Sequence, residues 1–318
     1  MFKRILLPLD RSALAECVLP HTIAVARAFE SQVTLLHVME TPGEARWRRA
    51  MDPLNWQIRK AEAKTYLHEL ALRLQGAGLL TETHILEGFA AEQVIGFSDT
   101  HGFQLIILSS HGQSGLSDWD VSSVVRKIAL RARSSVMIVR AAQPPAPDLA
   151  GLRYRRILVP LDGTQRAESI LPAAAALARA HEAKVVLAHI VQKPAMPRRT
   201  PASREDVELA DQIVERNQAE ATQYLDQLRS RMTGKVEARV LVSEHLAAAL
   251  QELIEREKAD LVLLSAHGRA SQTRGLYGDV VGNLIAYGAT PLVIMEDRSP
   301  APTTAPPPET ADGEPGRP

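Results

Sequence analysis

The sequence predicts two tandem α/β domains, each with a doubly wound, Rossmann-like fold around a five-stranded parallel sheet. Two observations predict this fold class. A long segment occurs twice, and within each copy short Val/Ile/Leu runs alternate with Ala- and Leu-rich helical patterns. Such alternation is typical of parallel sheets with right-handed crossovers. The 318 residues are enough for two domains that each bury a core.

The repeat is recognisable at four points that follow in the same order in both copies. RILLPLDRSALAECVLP, residues 4–20, returns as RILVPLDGTQRAESILP, residues 156–172. LLHV then corresponds to LAHI, LIILSSHG to LVLLSAHG, and SSVMIV to TPLVIM. Matches of this kind indicate duplicated structural units. We therefore predict that both copies share one fold.

The two copies place domains at residues 1–141 and 154–297. The segment between them, 142–153, is rich in proline, which cannot serve a central strand, so it is predicted to be a linker. Residues 298–318 are also rich in proline and almost free of large apolar side chains. Such a segment cannot offset its ordering entropy by burial, and we predict a disordered tail.

Continuous apolar runs predict strands that are buried on both faces. They include residues 5–7, 33–37 and 105–108. The last strand of each copy, at 136–139 and 292–295, is also apolar and is expected at a sheet edge. Exposed edges of this kind are normally covered or paired, so these strands are candidates for pairing.

Helices are predicted between the strands. Residues 12–28 and 164–180 are rich in Ala and Leu, and each segment begins at a hydroxyl residue that can cap a helix. Longer polar segments at 46–74 and 204–232 predict the second crossover helix of each copy. The resulting order of strands and helices is that of a parallel sheet.

Composition excludes several partners. Lys plus Arg and Asp plus Glu both number 37, so no net charge attracts nucleic acid or a membrane. Basic and aromatic residues alternate between Arg46 and Lys60, but the zero net charge favours a solvated helix there. Cys17 is the only cysteine and cannot form an intrachain disulfide. The first residues resemble neither a signal peptide nor a membrane span. We expect a cytoplasmic protein.

The candidate site lies where strands end. In open parallel sheets, ligands bind beyond the carboxyl ends of the strands, where strand order reverses. The first strand of each copy is followed by PLD, ending at Asp10 and Asp162, and the fourth by SSHG or SAHG, ending at Gly112 and Gly268. A carboxylate can accept hydrogen bonds from a base or ribose, and loop amides at a helix N-terminus can hold phosphate. The pattern predicts a nucleotide site.

These motifs together resemble the universal stress protein family in a tandem arrangement. They are a strand ending in P-x-D, a second strand ending in HV or HI, and a fourth strand followed by an S/T-H-G loop. The resemblance implies an adenine nucleotide alpha hydrolase-like fold and a regulatory role in the stress response. It implies ATP or AMP, with or without Mg²⁺, as the ligand. It also implies that the last strands join two domains as a pseudo-dimer, and that two chains can form a homodimer.

The phosphate loops depart from the family pattern G-x2-G-x9-G-[S/T]. The first copy has S-x2-G-x9-S-S and the second S-x2-G-x9-G-D. A lost glycine costs about 1–2 kcal/mol if its φ is positive, and a carboxylate about 4 Å from phosphate costs up to about 4 kcal/mol. We therefore expect the first domain to bind better. The resemblance implies these nucleotide-binding residues: Pro8, Leu9, Asp10, Val38, Ser109, His111, Gly112, Ser122, Ser123, Pro160, Leu161, Asp162, Ile190, Ser265, His267, Gly268, Gly278 and Asp279.

Each candidate residue also has a purely structural interpretation. Asp10 and Asp162 can close a turn and support the helix that follows. His37 and His189 fit hydrogen-bonded histidines near the core better than ligands. The histidine before each loop glycine invites a role as general base, but no nucleophile or orienting carboxylate stands at a fixed spacing beside it. We predict no catalytic residues.

Three functions follow from these patterns. The predicted one is a nucleotide-binding regulatory module with at most slow ATP hydrolysis. The alternative is an interaction protein whose degenerate pockets bind no nucleotide. A nucleotidyl transferase or hydrolase is disfavoured because the sequence has no H-x-G-H motif, no Walker lysine loop and no metal-ligand cluster.

Overall fold

The computed structural model describes six stretches of the chain, to which all structural statements below refer. They are residues 1–40, 53–112, 121–141, 149–194, 203–266 and 279–296. Most of the predicted linker and the predicted tail lie outside these residues.

Both copies form strands and helices in the predicted order. The strands of the first copy are β1 (Arg4–Pro8), β2 (Gln32–Met39), β3 (Thr81–Glu87), β4 (Leu105–Ser109) and β5 (Ser135–Val139). Its helices are a 3₁₀ turn (Ala15–Cys17), α1 (Val18–Phe29), α2 (Pro53–Gly76), α3 (Ala90–His101) and α4 (Ser123–Arg131).

The second copy repeats this arrangement. Its strands are β6 (Arg156–Pro160), β7 (Lys184–Gln192), β8 (Val236–Ser243), β9 (Leu261–Ser265) and β10 (Leu292–Met295). Its helices are α5 (Gln165–Glu168), α6 (Leu171–His181), α7 (Arg204–Arg231), α8 (Leu246–Arg256) and α9 (Asp279–Tyr287).

The ten strands form one sheet in the order β3-β2-β1-β4-β5-β10-β9-β6-β7-β8. Strands within a copy pair in parallel, which confirms the predicted five-stranded parallel sheets. β5 and β10 pair antiparallel, with Met137 opposite Val293, so each covers the edge of the other. Strand order reverses between β1 and β4 and between β6 and β9. The carboxyl ends of the two sets of strands point in opposite directions.

Helices cover both faces of the sheet, which explains why its inner strands read as continuous apolar runs. Ile5 and Leu7 pack into the cluster under α1, α2, α5, α6 and α7, whereas Leu6 packs into the cluster under α3, α4, α8 and α9. The outermost strands, β3 and β8, are more exposed. None of the described helices combines the length and apolarity that a membrane crossing requires.

The helices after β1 and β6 begin later than the hydroxyl residues predicted. Ser12 Oγ accepts from the backbone N–H of Ala15, where the 3₁₀ turn begins, and Thr164 caps only the short α5. α1 and α6 start further on, each with a proline in its first turn, where the missing N–H leaves no hydrogen bond unmade. The other predicted crossover helices correspond to α2 and α7, and residues 46–52 lie outside the described chain.

A polar cluster lies where α1 of the first domain meets α6 of the second. His21 Nδ1 is 2.9 Å from the hydroxyl of Tyr154, which is only 1% exposed. The rings of Tyr154 and His181 meet edge to face, with centroids 4.9 Å apart. The equivalent pair in the first copy is Phe2 and Phe29, also edge to face at 5.0 Å. The second copy therefore replaces an apolar pair by polar rings that contact the first domain.

This cluster makes stability depend on pH. Burial lowers the pKa of His21 from 6.5 to about 4, so the folded chain keeps this ring neutral above that pH. The unfolded chain takes up the proton near pH 6.5, so the stability is complete above pH 6.5 and is lost as the pH falls toward 4. We expect His21 alone to cost about 3 kcal/mol of unfolding free energy across this window.

Urea unfolding at pH 7 and pH 4 tests this expectation. His21→Gln keeps a hydrogen-bonding group that does not titrate, so its loss of stability should be about 3 kcal/mol smaller than that of the wild type. His68→Gln is the control because His68 is exposed on α2, and it should behave like the wild type. Equal losses in all three proteins would contradict the assignment.

Candidate functional site

The loops after β1 and β4 lie side by side in the first domain. Leu9 N donates to Leu36 O at 2.8 Å, which extends the pairing of β1 with β2. Ser110 N donates to Val139 O at 2.8 Å, which extends β4 beside β5. The second domain repeats both bonds, from Leu161 to Ala188 and from Ala266 to Met295. The same backbone frame therefore holds both candidate sites.

The aspartate after the first strand closes a turn in both domains. Asp10 Oδ1 accepts from Ser12 N at 3.0 Å and from Ser12 Oγ at 2.6 Å, and Ser12 Oγ accepts from Ala15 N at 3.1 Å. Asp162 accepts in the same way from Thr164 N at 2.9 Å and Oγ1 at 2.6 Å. The structural interpretation of both aspartates is therefore correct, and it accounts for one carboxylate oxygen of each.

The other oxygen of Asp10 faces the loop after β4. A Cβ added at Gly112 would collide with Asp10 Oδ2. The structure therefore brings together two of the predicted site residues, Asp10 and Gly112, from loops that are a hundred residues apart in sequence. Glycine at this position lets the backbone pass directly beside the carboxylate.

The serines of the first loop are engaged within the protein. Ser109 Oγ donates to His111 O at 2.7 Å and to Leu14 O at 3.2 Å. Ser110, which our sequence analysis did not select, is fully buried, and its Oγ lies 2.9 Å from His111 Nδ1 and accepts from Ala141 N at 3.1 Å. These bonds fix the loop between β4 and β5.

Ser122 and Ser123 mark the start of α4. Ser122 N donates to Ser110 O at 3.1 Å, and Ser122 Oγ accepts from Val125 N at 3.3 Å as the N-cap of the helix. Ser123 is exposed in the first turn. The backbone amides of this helix start consequently lie next to the β4 loop, an arrangement that suits an anion.

His37 is held near the core, as predicted. Its Nδ1 lies 2.7 Å from Leu9 O, an acceptor, so the ring nitrogen donates. Burial lowers the pKa of His37, and the positive charges of Arg11 and Arg59 lower it further. The ring is therefore neutral, and it ties the end of β2 to the loop after β1. Pro8 and Val38 are partly exposed at the same end of the sheet.

A cavity of about 720 Å³ occupies the corresponding position in the second domain. It lies at the carboxyl ends of β6, β7 and β9, and most of its lining is apolar. The structure brings five of the predicted site residues together around it: Pro160, Leu161, Asp162, Ile190 and Ser265.

α7 contributes one wall of the cavity, and none of its residues was among the predicted site residues. Asn217, Glu220 and Tyr224 line the cavity from one face of this helix, and Leu246 and Leu250 follow from the start of α8. The spacing of the three α7 residues, which is one helical face, is the signal that could have identified them. Their polarity alone resembles that of any solvated helix.

Part of the second site lies outside the described residues. This applies to His267, Gly268 and Gly278, whereas Asp279 begins α9 and only its backbone is described. Within the described stretches, no group of three His, Cys, Asp or Glu side chains could hold a metal ion.

The residue after each aspartate differs between the domains. Arg11 adopts a φ of 70°, and Gly163, at the equivalent position, a φ of 82°. This left-handed region is comfortable for glycine and costs other residues about 1 kcal/mol or more. The strained arginine at the edge of the first candidate site is a second feature that was not predicted from the sequence.

Comparison with known proteins agrees with this architecture. The model of the universal stress protein family matches residues 1–140 and again residues 153–295. The chain belongs to the universal stress protein family. A universal stress protein of Methanocaldococcus jannaschii is 24% identical over 155 residues, which cover 44% of this chain and 96% of that relative.

Two solved structures of universal stress proteins have the same fold over nearly the whole chain. One, from Archaeoglobus fulgidus, is 15% identical, covers 93% of this chain and 99% of its own, and has a TM-score of 0.66. The other, from Pseudomonas aeruginosa, is 14% identical, covers 92% and 93%, and has a TM-score of 0.62. The short relative thus matches about the length of one domain of this universal stress protein, and the two longer structures match nearly the whole tandem chain.

The contact of Gly112 with Asp10 yields a stability prediction. Gly112→Ala should destabilise the universal stress protein by about 1–3 kcal/mol, because the added methyl group must displace a carboxylate that Ser12 holds in place. Chemical denaturation measures this change.

Gly96→Ala supplies the matched control. Gly96 lies in α3 with open space where a Cβ would point, so this change should stabilise the protein by about 0.5–1 kcal/mol. If Gly112→Ala proves as harmless as Gly96→Ala, the two loops are not in the contact described.

Proposed function

We propose that the protein is an adenine-nucleotide-binding regulatory module with little or no catalysis. The observation that carries the proposal is the 720 Å³ cavity at the carboxyl ends of the second-domain strands. Its volume is within the range of small-molecule sites, about 300–1,000 Å³. Its position is where open parallel sheets bind ligands.

The chemistry of the cavity suits a nucleoside. Leu161, Leu250 and Leu264 offer apolar surface to a planar base, and the Asp162 carboxylate offers an acceptor for ribose hydroxyls or a base amino group. We propose that the residues carried over from the family act in this way in both domains.

The burial of Ser110 in the loop after β4 supports a regulatory role for the protein rather than a catalytic one. Ser110 and His111 form a hydroxyl–imidazole contact, but Ser110 is fully buried and its oxygen also accepts from a backbone amide. A nucleophile must reach its substrate, which this serine does not. Slow ATP hydrolysis remains the most that we propose.

We further propose that the two domains form an intramolecular pseudo-dimer, and that two chains associate as a homodimer. The antiparallel pairing of β5 with β10 supports the first part. Arg140 supports it as well, since its guanidinium donates at 2.6 Å to Ile285 O in the last turn of α9 across the domain boundary. If analytical ultracentrifugation finds only a species of the mass of one chain, the proposed homodimer is wrong. The cytoplasmic location stays a prediction.

A second function is favoured by the engagement of the hydroxyls. Ser109 Oγ donates to two backbone carbonyl groups, and Ser122 Oγ caps α4, so neither is reserved for phosphate. This supports the interaction protein with a degenerate first pocket. Nucleotide detected by mass spectrometry in the denatured, freshly purified protein would count against it.

Isothermal titration with ATP and AMP tests the proposed function. Asp162→Asn and Asp10→Asn each keep an oxygen for the turn but remove the charge, so each should weaken binding at its own site by about tenfold or more. The sequence favours nucleotide binding by the first domain, whereas the described cavity favours nucleotide binding by the second. The two variants decide between these sites.

The double variant is the control for both sites. It should bind neither nucleotide while keeping the unfolding midpoint within a few degrees of the wild type. The absence of any heat from the wild type at millimolar ATP and AMP would refute nucleotide binding.

A further inference from the structure

The two candidate sites of this chain differ at one ion pair. In the first domain, Arg11 Nη2 lies 2.8 Å from Glu62 Oε2, which links the loop after β1 to α2. Glu220 occupies the equivalent position in α7, as the matching pairs Ala63–Ala221 and Leu67–Leu225 of the repeat indicate. Glu220 pairs instead with Arg216 of its own helix, at 3.0 Å.

Glycine is the reason for the difference. The position of Arg11 is taken by Gly163 in the second domain, and a glycine has no side chain that can reach across to the helix. Gly163 and Glu220 both line the second-domain cavity, one from the loop after β6 and the other from α7. By the equivalence of the two copies, Arg11 and Glu62 occupy the positions in the first domain that border the cavity in the second, and their ion pair joins these two positions.

We propose that the Arg11–Glu62 ion pair is a latch across the first pocket, and that the described part of the second pocket is open because it has none. The latch gives the two pockets of one chain different ligand access. The proposal concerns access to the site of the proposed function and rests on that function for its ligand.

The positions of the two side chains fit a latch that can open. The Arg11 side chain is 27% exposed and Glu62 is 54% exposed, so water and salt reach the pair. Exposed ion pairs contribute little and are weakened by salt. The latch is therefore a small barrier that a ligand, or a rise in ionic strength, can overcome.

The positive charge of Arg11 also acts on His37, which lies near the end of β2 beside the first candidate site. Arg11 and Arg59 both lower the pKa of His37, although burial is the larger cause, so the arginine side chain lies within electrostatic range of the end of β2. The residue equivalent to Arg59 is Asn217, which lines the second cavity and carries no charge. The first pocket is thus bordered by two arginines that the second replaces by neutral residues.

The binding test uses adenosine, because an uncharged probe avoids direct attraction to the arginines. In the chain carrying Asp162→Asn, only the first pocket is intact, and Glu62→Ala should raise adenosine affinity by about two- to five-fold in isothermal titration. Raising NaCl from 0.1 to 0.5 M should raise affinity in the same direction without the substitution.

Glu87→Ala is the matched control for binding. It removes another exposed ion pair of α2, between Lys60 and Glu87 at 3.1 Å, which does not involve the loop after β1. Its adenosine affinity should equal that of the parent chain. Unchanged affinity in Glu62→Ala, or an equal rise in Glu87→Ala, would overturn the latch.

A second measurement needs no ligand and separates the latch from the proposed function. In hydrogen–deuterium exchange of the full chain, Glu62→Ala should speed exchange of the amides at residues 9–15 by about two- to five-fold. Glu220→Ala should leave residues 161–167 unchanged, because its partner is on its own helix. Equal responses in both loops would overturn the latch even if nucleotides bind. A failure of nucleotide binding with the predicted exchange would refute only the proposed function.

Discussion

The antiparallel pairing of β5 with β10 is the contact on which the rest of the structure depends. It converts two five-stranded sheets into one sheet of ten strands and leaves neither apolar last strand at an open edge. It also fixes the direction of each half, so the two sets of loops that follow the strands face opposite ways. The two candidate sites therefore lie on opposite sides of this strand pair in the sheet.

The two copies share the same backbone arrangement at the candidate sites but differ in the side chains around those sites. The carboxylates of Asp10 and Asp162 make the same turn, to within 0.1 Å in their bonds to the next hydroxyl residue. The residue directly after the aspartate is Arg11 in the first copy and Gly163 in the second. Of these two, only Arg11 has a side chain that can form the ion pair with Glu62. The cross-domain cluster arose similarly, because Tyr154 and His181, which gather with His21, stand at positions that are phenylalanine in the first copy.

Sequence predicted the fold because its signals are periodic and local. Apolar runs located β1, β2 and β4. Thr164 is an N-cap and Ser12 accepts a hydrogen bond from Ala15 N, although the long helices begin later. The meeting of Asp10 with Gly112 was also predictable, since parallel strands end at one side of the sheet. Contacts such as Arg11 with Glu62, or His21 with Tyr154, were not predictable. They depend on how a helix is rotated against the sheet or a domain against its neighbour, which no periodicity encodes.

We propose that ligands bind beyond the carboxyl ends of the strands, and that the first-domain and second-domain sites differ in ligand access. The most direct measurement is a crystal structure of the full chain grown with Mg-ATP. We expect nucleotide density beside Asp162, between Ile190 and Tyr224, with the Arg11–Glu62 pair intact wherever the first site is empty. Density at neither aspartate, or a closed pair above a fully occupied first pocket, would contradict it.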